Sequence, residues 1–440
     1  MNLKKKKKKN KKISQLMKNL KISIVGLGYV GLPLALAFSK KFKVVGFDID
    51  KKRIHNLRLG VDVFKDQTKK KILNNKQLKL TYNSIDIVDS DYFIITVPTP
   101  IDKQNKPDLK SLINSSRIVA KSIKKGSIII YESTVYPSCT EDICVPILEK
   151  YSGLKFNEDF YCGYSPERIN VGDNKHRLEN IIKVVSGSTV STTNKIHNLY
   201  KKIIKAKIFK ASSIRVAEAA KVIENTQRDL NIAFLNELSI IFDRLNIDTN
   251  DVIKAAATKW NFIRFKPGLV GGHCIGVDPF YLSHVAIKNG YTPKVILAGR
   301  DINEKMSKFV FNKTLKLMKN KNLDIKKAKL LILGFSFKEN CSDPRNSKVK
   351  DIVRYFLNKK TLIKIYDPIV YKKFLEKKYK NLFVNKISHY KNYFDGIILA
   401  VPHKTFLKNY KNLFKKILKK KHIIFDVKSA LKKDYPTTTL

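Results

Sequence analysis

The feature that most restricts the fold is a short turn, Gly26-Leu27-Gly28-Tyr29-Val30-Gly31, set directly after the apolar run 22–25 and opening a second apolar run. Three glycines at this spacing permit a tight turn, close approach of backbone to a pyrophosphate, and packing of a helix against a strand. The helix N-terminus that follows then faces the phosphates. Asp48 lies 20 residues beyond Gly28, at the end of the next apolar run. There a carboxylate can accept hydrogen bonds from the adenosine ribose, which favours NAD over its 2′-phosphorylated form. Arg53, five residues on, keeps the phosphorylated form open.

Runs 22–25, 44–47, 92–97 and 127–131 read as buried parallel strands alternating with helical patterns. Between 213 and 245 the chain has no Pro or Gly, and Ala217, Val222, Leu230, Phe234 and Leu238 recur at helical spacing. A second set of strands is expected at 330–333, 363–366, 396–401 and 423–426. The fold class is therefore α/β, with two Rossmann-like doubly wound domains joined by a long central helix. The expected division is a basic tail over 1–20, a nucleotide-binding domain over 21–212, a central helical domain over 213–322 and a second Rossmann-like domain over 323–440. Ligands usually occupy clefts between such domains.

The 88 Lys plus Arg against 37 Asp plus Glu give a net charge of +51, which suggests nucleic acid or an anionic membrane. Only 12 of the cations are Arg, however, and the aromatic-interleaved Arg pattern of nucleic-acid readers is absent. No nucleic-acid partner is expected, and the charge favours a small anionic substrate instead. The six lysines at 4–9 and the uncharged stretch 23–39 together mimic a signal peptide. Gly26, Gly28, Gly31 and Pro33 break that stretch, so the tail is read as a solvated extension and no membrane span is expected. Five cysteines without a C-x-x-C pair support neither a disulfide framework nor a metal site, and a reducing cytoplasm fits.

Gly271-Gly272-His273-Cys274-Ile275-Gly276-Val277-Asp278-Pro279 is the second chemical site. Flanking glycines expose a sulfur, and an acid four residues on can handle protons; the alternative is a buried cysteine acting as a small hydrophobe. His273 reads as structural, since no paired acid is evident. Lys221 and Asn225, at i and i+4, share a helix face and could hold an oxyanion or a water, unless the lysine is merely solvated.

Together these segments resemble the nucleotide-sugar 6-dehydrogenase family, the UDP-glucose and GDP-mannose dehydrogenases, over 21–428. The stretch Glu218-Ala219-Ala220-Lys221-Val222-Ile223-Glu224-Asn225-Thr226-Gln227-Arg228-Asp229-Leu230-Asn231 carries the resemblance to the N-acetylhexosamine branch, as do 271–279 and 337–347. That resemblance implies Cys274 as nucleophile, Lys221 and Asn225 on the reacting oxygen, and Asp278 at the water. It also places Thr134 by the nicotinamide and gives Glu167, within Ser165-Pro166-Glu167-Arg168, the role of base for thioester hydrolysis. Gly26, Gly28, Val30, Gly31, Asp48, Arg53, Thr99 and Arg345 are implied at the cofactor. Ser165, Arg168, Arg264, Phe265, Lys266, Gly271 and Lys338 are implied at the UDP-sugar, and no metal is implied.

Many glucose-oxidising members have a lysine where this chain has Val277, and Trp260 precedes Asn261 in the substrate loop. The expected activity is a four-electron, NAD-dependent oxidation of carbon 6 of a UDP-N-acetylhexosamine, for surface polysaccharide. UDP-glucose 6-dehydrogenase is the near alternative, as is a two-electron enzyme with a structural Cys274. A basic nucleic-acid or membrane-surface protein is the alternative of another class. A cytoplasmic homodimer or larger homo-oligomer, joined through the central helix, is the expected assembly.

Overall fold

The computed structural model describes residues 20–63, 67–168, 177–432 and 435–440, so all of the basic tail but Leu20 lies outside the described residues. Two compact units result, one of residues 1–224 with 280–290, the other of 225–279 with 291–440.

The first unit is built on an eight-stranded sheet in the order β3-β2-β1-β4-β5-β6-β7-β8. Its strands are β1 (Lys21–Val25), β2 (Lys43–Phe47), β3 (Leu78–Thr81), β4 (Tyr92–Ile95), β5 (Ile128–Tyr131), β6 (Tyr161–Tyr164), β7 (Lys183–Gly187) and β8 (Ile208–Lys210). All neighbours are parallel except β6 and β7. Runs such as Phe93-Ile94-Ile95 and Ile128-Ile129-Ile130 have no solvent-facing side, as expected of strands covered on both faces. Strand order reverses between β1 and β4, which opens a crevice at the C-terminal ends of those strands. Beneath it, Ile22, Ile24, Leu34, Phe38, Ile94 and Ile130 pack in one core, and Phe38 meets Tyr200 edge-on at 5.5 Å.

The second unit carries a five-stranded parallel sheet in the order β10-β9-β11-β12-β13, formed by β9 (Lys329–Leu333), β10 (Leu362–Tyr366), β11 (Phe394–Leu399), β12 (Leu418–Asp426) and β13 (Thr438–Thr439). The helix Val349–Asn358 buries Val349, Ile352, Val353 and Phe356, an i, i+3, i+4, i+7 stripe, against it. Each such fully buried side chain contributes about 1.5–3 kcal/mol. The turn after β9 repeats the plan of the turn after β1 with a different outcome. Gly334 takes a φ of +83°, and Asp367, just beyond β10, accepts the amides of Phe335 at 2.7 Å and Ser336 at 3.1 Å. The Asp367 carboxylate also meets His403 Nε2 at 3.1 Å and takes the amides of Ile369 and Val370, so it is wholly enclosed.

The expected central helix is present as Ile214–Leu245, 32 residues long. At 1.5 Å per residue it extends about 48 Å. Ordering 32 residues without a break is consistent with the absence of Gly and Pro from this stretch.

Candidate active site

The glycine turn has the geometry its spacing demands. Gly26 has a φ of +93°, a conformation that L side chains rarely adopt. A Cβ at Gly31 would stand 1.8 Å from Gly26 O and 2.4 Å from Thr96 Oγ1, so only glycine lets the helix Gly31–Phe38 pack this closely. At Gly28 a Cβ would meet no atom within 4 Å; that open approach is what a pyrophosphate needs. Val30 caps the helix from its N-terminal side. Asp48 Oδ2 accepts the Leu27 amide at 2.8 Å, which sets the acid beside the turn. These residues fit a bound dinucleotide.

Arg53 is nearly fully buried, donating from Nε to Leu27 O at 2.9 Å and from Nη1 to Asp62 at 2.8 Å. It serves as a brace of the turn, a placement that weighs against a 2′-phosphate clamp. Thr96, not singled out by the motif, adds a second brace by donating to Gly26 O at 2.6 Å.

Two loops lie side by side at the ends of β4 and β5. Thr99 donates to Thr134 O at 2.7 Å, Ser133 donates to Val97 O at 2.7 Å, and Tyr281 donates to Thr99 O at 2.8 Å. Thr99 and Thr134 are thus held by the same clamp. The Ser165 hydroxyl is enclosed and donates to Val184 O, so that side chain orders the 165–168 segment and is not presented to a ligand. Glu167 accepts the Arg168 amide at 2.6 Å and stands 3.5 Å from Lys183, while Arg168 Nε is 3.1 Å from Glu224.

On the central helix Lys221 and Asn225 are both buried, unlike solvated helix residues. Glu218, one turn before Lys221, accepts the amides of Ser138 at 2.6 Å and Thr140 at 2.9 Å and the Thr140 hydroxyl at 2.6 Å. Burial raises its pKa to about 7, against the pull of these hydrogen bonds.

In the second unit the cysteine loop presents Cys274 to solvent, which excludes the buried-hydrophobe alternative. Its carbonyl accepts the amides of Val277 at 3.0 Å and Asp278 at 2.9 Å, turning the chain into a helix that begins at Asp278. Asn225 donates to Asp278 Oδ2 at 2.6 Å, and both are enclosed. The loop is packed onto 337–346: a Cβ at Gly271 would fall 2.4 Å from Asn346 O, and at Gly272, with φ +88°, 2.6 Å from the Phe337 ring. His273 lies edge-on to Phe337 and 3.9 Å from Asp343. Arg345 forms a two-pronged pair with Asp343 and covers the Phe374 ring at 4.7 Å.

Lys266 lines a cleft of about 280 Å³ together with Gly268, Glu339 and Lys428; Lys428 is 2.5 Å from Glu339. Arg264 is exposed and bonds Ala257 O, Phe265 is half-buried, and Lys338 stands beside Phe337. Asn236 fixes the start of the loop, with Nδ2 donating to Gly268 O and Oδ1 accepting Gly268 N at 2.7 Å. Behind it, Asn303 joins Asn236 to Asp229, and Arg300 pairs with Asp229 at 2.7 Å. This buried network was not anticipated; the signal was the polar cluster of Gln227, Arg228, Asp229 and Asn231 on a helix otherwise patterned for burial. Among the described residues no group of His, Cys, Asp and Glu is arranged to hold a metal, and no helix is long and apolar enough to cross a membrane.

Comparison with known proteins agrees with this geometry. Three models of the UDP-glucose/GDP-mannose dehydrogenase family match: the NAD binding domain over 20–204, the central domain over 215–305 and the UDP binding domain over 331–433. The chain is 51% identical over 418 residues to UDP-N-acetyl-D-glucosamine 6-dehydrogenase of Pseudomonas aeruginosa, covering 95% of this chain and 99% of that one. It is 49% identical to Protein CapL of Staphylococcus aureus over 94% of this chain and 97% of the other. A solved UDP-D-ManNAc dehydrogenase from Pyrococcus horikoshii superposes with a TM-score of 0.85 at 29% identity, covering 96% of this chain and 99% of that one. With a glycine turn, an exposed cysteine and a buried Asn–Asp pair, and matched in all three domains, this chain belongs to the UDP-glucose/GDP-mannose dehydrogenase family, as an NAD-dependent oxidoreductase.

Proposed function

We propose that the chain oxidises carbon 6 of a UDP-N-acetylhexosamine, UDP-GlcNAc or UDP-GalNAc, from primary alcohol to carboxylate, supplying a uronic acid for surface polysaccharide. The observation that carries this reading is the exposed Cys274 in a glycine-built loop, followed by the buried Asp278 held by Asn225. The identity of about half to enzymes named for UDP-N-acetyl-D-glucosamine supports the sugar class. Gly26, Gly28, Val30, Gly31 and Asp48 hold the dinucleotide, with Thr99, Thr134 and Arg345 assigned to its other contacts and Arg53 bracing the turn. A four-electron oxidation releases two hydrides, and NAD held at this turn would take one in each of two successive bindings.

The chain's own residues do the rest. Lys221 and Asn225 stabilise the oxygen at carbon 6 as it gains charge. Cys274 Sγ adds to the aldehyde carbon, forming a thiohemiacetal, so the aldehyde stays covalently held between oxidations. The second oxidation leaves a thioester on Cys274. Glu167 takes a proton from the attacking water, Asp278 orients that water, the C–S bond breaks, and Cys274 departs as thiolate. Arg168, Arg264, Phe265, Lys266, Gly271 and Lys338 are assigned to the UDP-sugar, with Ser165 ordering the Glu167 segment.

The division into a tail over 1–20 and domains over 21–212, 213–322 and 323–440 belongs to this reading, and the three family-model matches support it. So does a cytoplasmic homodimer or larger homo-oligomer formed through the central helix. Ile223, Phe234 and Ile241 on that helix are exposed apolar side chains, and none of the five cysteines is in a disulfide.

NADH formation across a panel of UDP-sugars tests the assignment. Two NADH per sugar are expected, with UDP-GlcNAc or its galacto epimer exceeding UDP-glucose at least about tenfold in kcat/KM, equal to about 1.4 kcal/mol. Equal or better use of UDP-glucose would remove the N-acetyl assignment, and one NADH per sugar would remove the covalent mechanism.

A further inference from the structure

Beneath Glu167 lies a group of ionisable side chains that no motif singled out. Lys183, the first residue of β7, reaches Glu132 Oε2 at 2.8 Å, Glu167 Oε2 at 3.5 Å and Pro166 O at 3.4 Å. Tyr200 donates to the other oxygen of Glu132, and its ring lies under the ammonium at 5.3 Å. The side chain of Glu132 is 0% exposed and that of Lys183 4%, against 10% for Glu167. One cation is thus shared by two carboxylates in a volume closed to water, and it is closer to the carboxylate that is sealed.

The charge count has a chemical consequence. With both acids ionised the trio carries a net −1, more than Lys183 can balance. A proton arriving at Glu167 leaves Lys183 paired with Glu132 and the buried trio neutral. Glu132 therefore offsets at Glu167 the field of Lys183, which alone would stand uncompensated there. Burial pushes Glu132 up to about 7 despite Lys183, with Glu167 adding to the rise, so the two carboxylates compete for one proton across Lys183. Burial works against the Lys183 ammonium, but Glu132 and Glu167 outweigh it and raise its pKa.

We propose that Glu132, Lys183 and Tyr200 are positioning residues that balance charge beneath Glu167 and so set its basicity for thioester hydrolysis. This rests on the reading of Glu167 as the hydrolytic base. In the step itself the water oxygen bonds to the acyl carbon, one water proton goes to Glu167, the C–S bond breaks, and Cys274 leaves as thiolate. No electron changes hands and no proton passes through Lys183. The groups that face Glu167 include Lys183, with Glu132 and Tyr200 behind it, and the Arg168 amide.

Single-turnover experiments with the full-length enzyme, NAD and whichever UDP-N-acetylhexosamine the wild type oxidises separate the oxidations, read as NADH, from hydrolysis, read as loss of the acyl mass on Cys274. Glu132→Gln should leave the NADH burst within about threefold while the acyl-enzyme persists at least about tenfold longer. The hydrolysis rate should also rise at a lower pH than in the wild type, by roughly one unit, because Lys183 then belongs to Glu167 alone. Equal slowing of burst and hydrolysis with an unmoved pH profile would overturn the proposal, as would wild-type hydrolysis. If Glu132→Gln does not fold, Tyr200→Phe removes only one oxygen: an acyl-enzyme several-fold longer-lived supports the proposal, an unchanged lifetime overturns it. Glu167→Gln distinguishes the two readings. Hydrolysis at the wild-type rate in that variant would remove Glu167 as the base and the proposal with it. Acyl-enzyme accumulating in Glu167→Gln but not in Glu132→Gln would remove the proposal alone.

Discussion

Asn225 donates to Asp278 Oδ2 at 2.6 Å, so the acid four residues after Cys274 is aimed by a residue of the central helix. Both side chains are enclosed, and a hydrogen bond to a buried carboxylate contributes about 1.5–3 kcal/mol. Asn225→Ala should lower the urea unfolding free energy by about that amount and reduce kcat by roughly a hundredfold or more. A variant with unaltered stability and turnover would show that the pair is incidental.

Cys274→Ser should lose net turnover to the carboxylate while passing at most one hydride per sugar, because a serine hydroxyl is a poor trap for an aldehyde near neutral pH. Product analysis and NADH stoichiometry check this together. Wild-type-like production of the uronic acid would refute covalent catalysis by this residue.

Asp48 holds the Leu27 amide with one oxygen and the Asp50 amide with the other. Asp48→Asn keeps an acceptor for the turn and loses the charge, so NAD binding should weaken by about 1–3 kcal/mol with the fold intact. Asp48→Ala also frees the turn and should weaken binding further. Calorimetric titration of NAD into both variants checks the order, and unchanged affinity in Asp48→Ala would show that the ribose is held elsewhere.

Glu218 titrates at about 7 in the native protein against about 4.5 when unfolded. Between those values the unfolded chain is ionised while the native chain keeps its proton, so this group's stability is full below 4.5 and lost as pH rises through 7. Over pH 5 to 8 the loss is on the order of 2–3 kcal/mol. Glu218→Gln should lack that component. Urea unfolding of both proteins at pH 5 and pH 8 gives the difference of differences, and identical slopes would exclude a titrating Glu218.

The parts that were legible in the sequence share a local cause. The glycine turn, the apolar strands beside it and the uninterrupted helix all announce themselves within a few residues. β12 was expected over 423–426 but begins at Leu418, because Lys419, Lys420 and Lys421 interrupt the apolar pattern without interrupting the strand. β3 alternates Leu with Lys, β6 is broken by Gly163, β7 has only the apolar pair Val184-Val185 and β8 only Ile208-Phe209, so none gives a continuous apolar run. Polar braces were hidden for another reason. Glu218 and Thr140, or Asp229 and Arg300, lie more than seventy residues apart, and nothing at either position names its partner.

The enclosed Asp367 makes the two halves of this chain unequal hosts. Because the Asn340 amide donates to His403 Nδ1, the His403 proton sits at Nε2, facing the acid that a ribose would otherwise claim. An adenosine arriving at the second turn would find Asp367 sealed, its two oxygens taking four backbone amides and His403 where Asp48 takes two amides, and an imidazole in its path. Grafting the missing glycines into 334–339 would therefore not create a second dinucleotide berth; His403 would have to go first. The chain carries two copies of one architectural plan but only one of the two turns is open to a coenzyme, and the lock on the other is a histidine drawn from beyond the third strand of its own sheet.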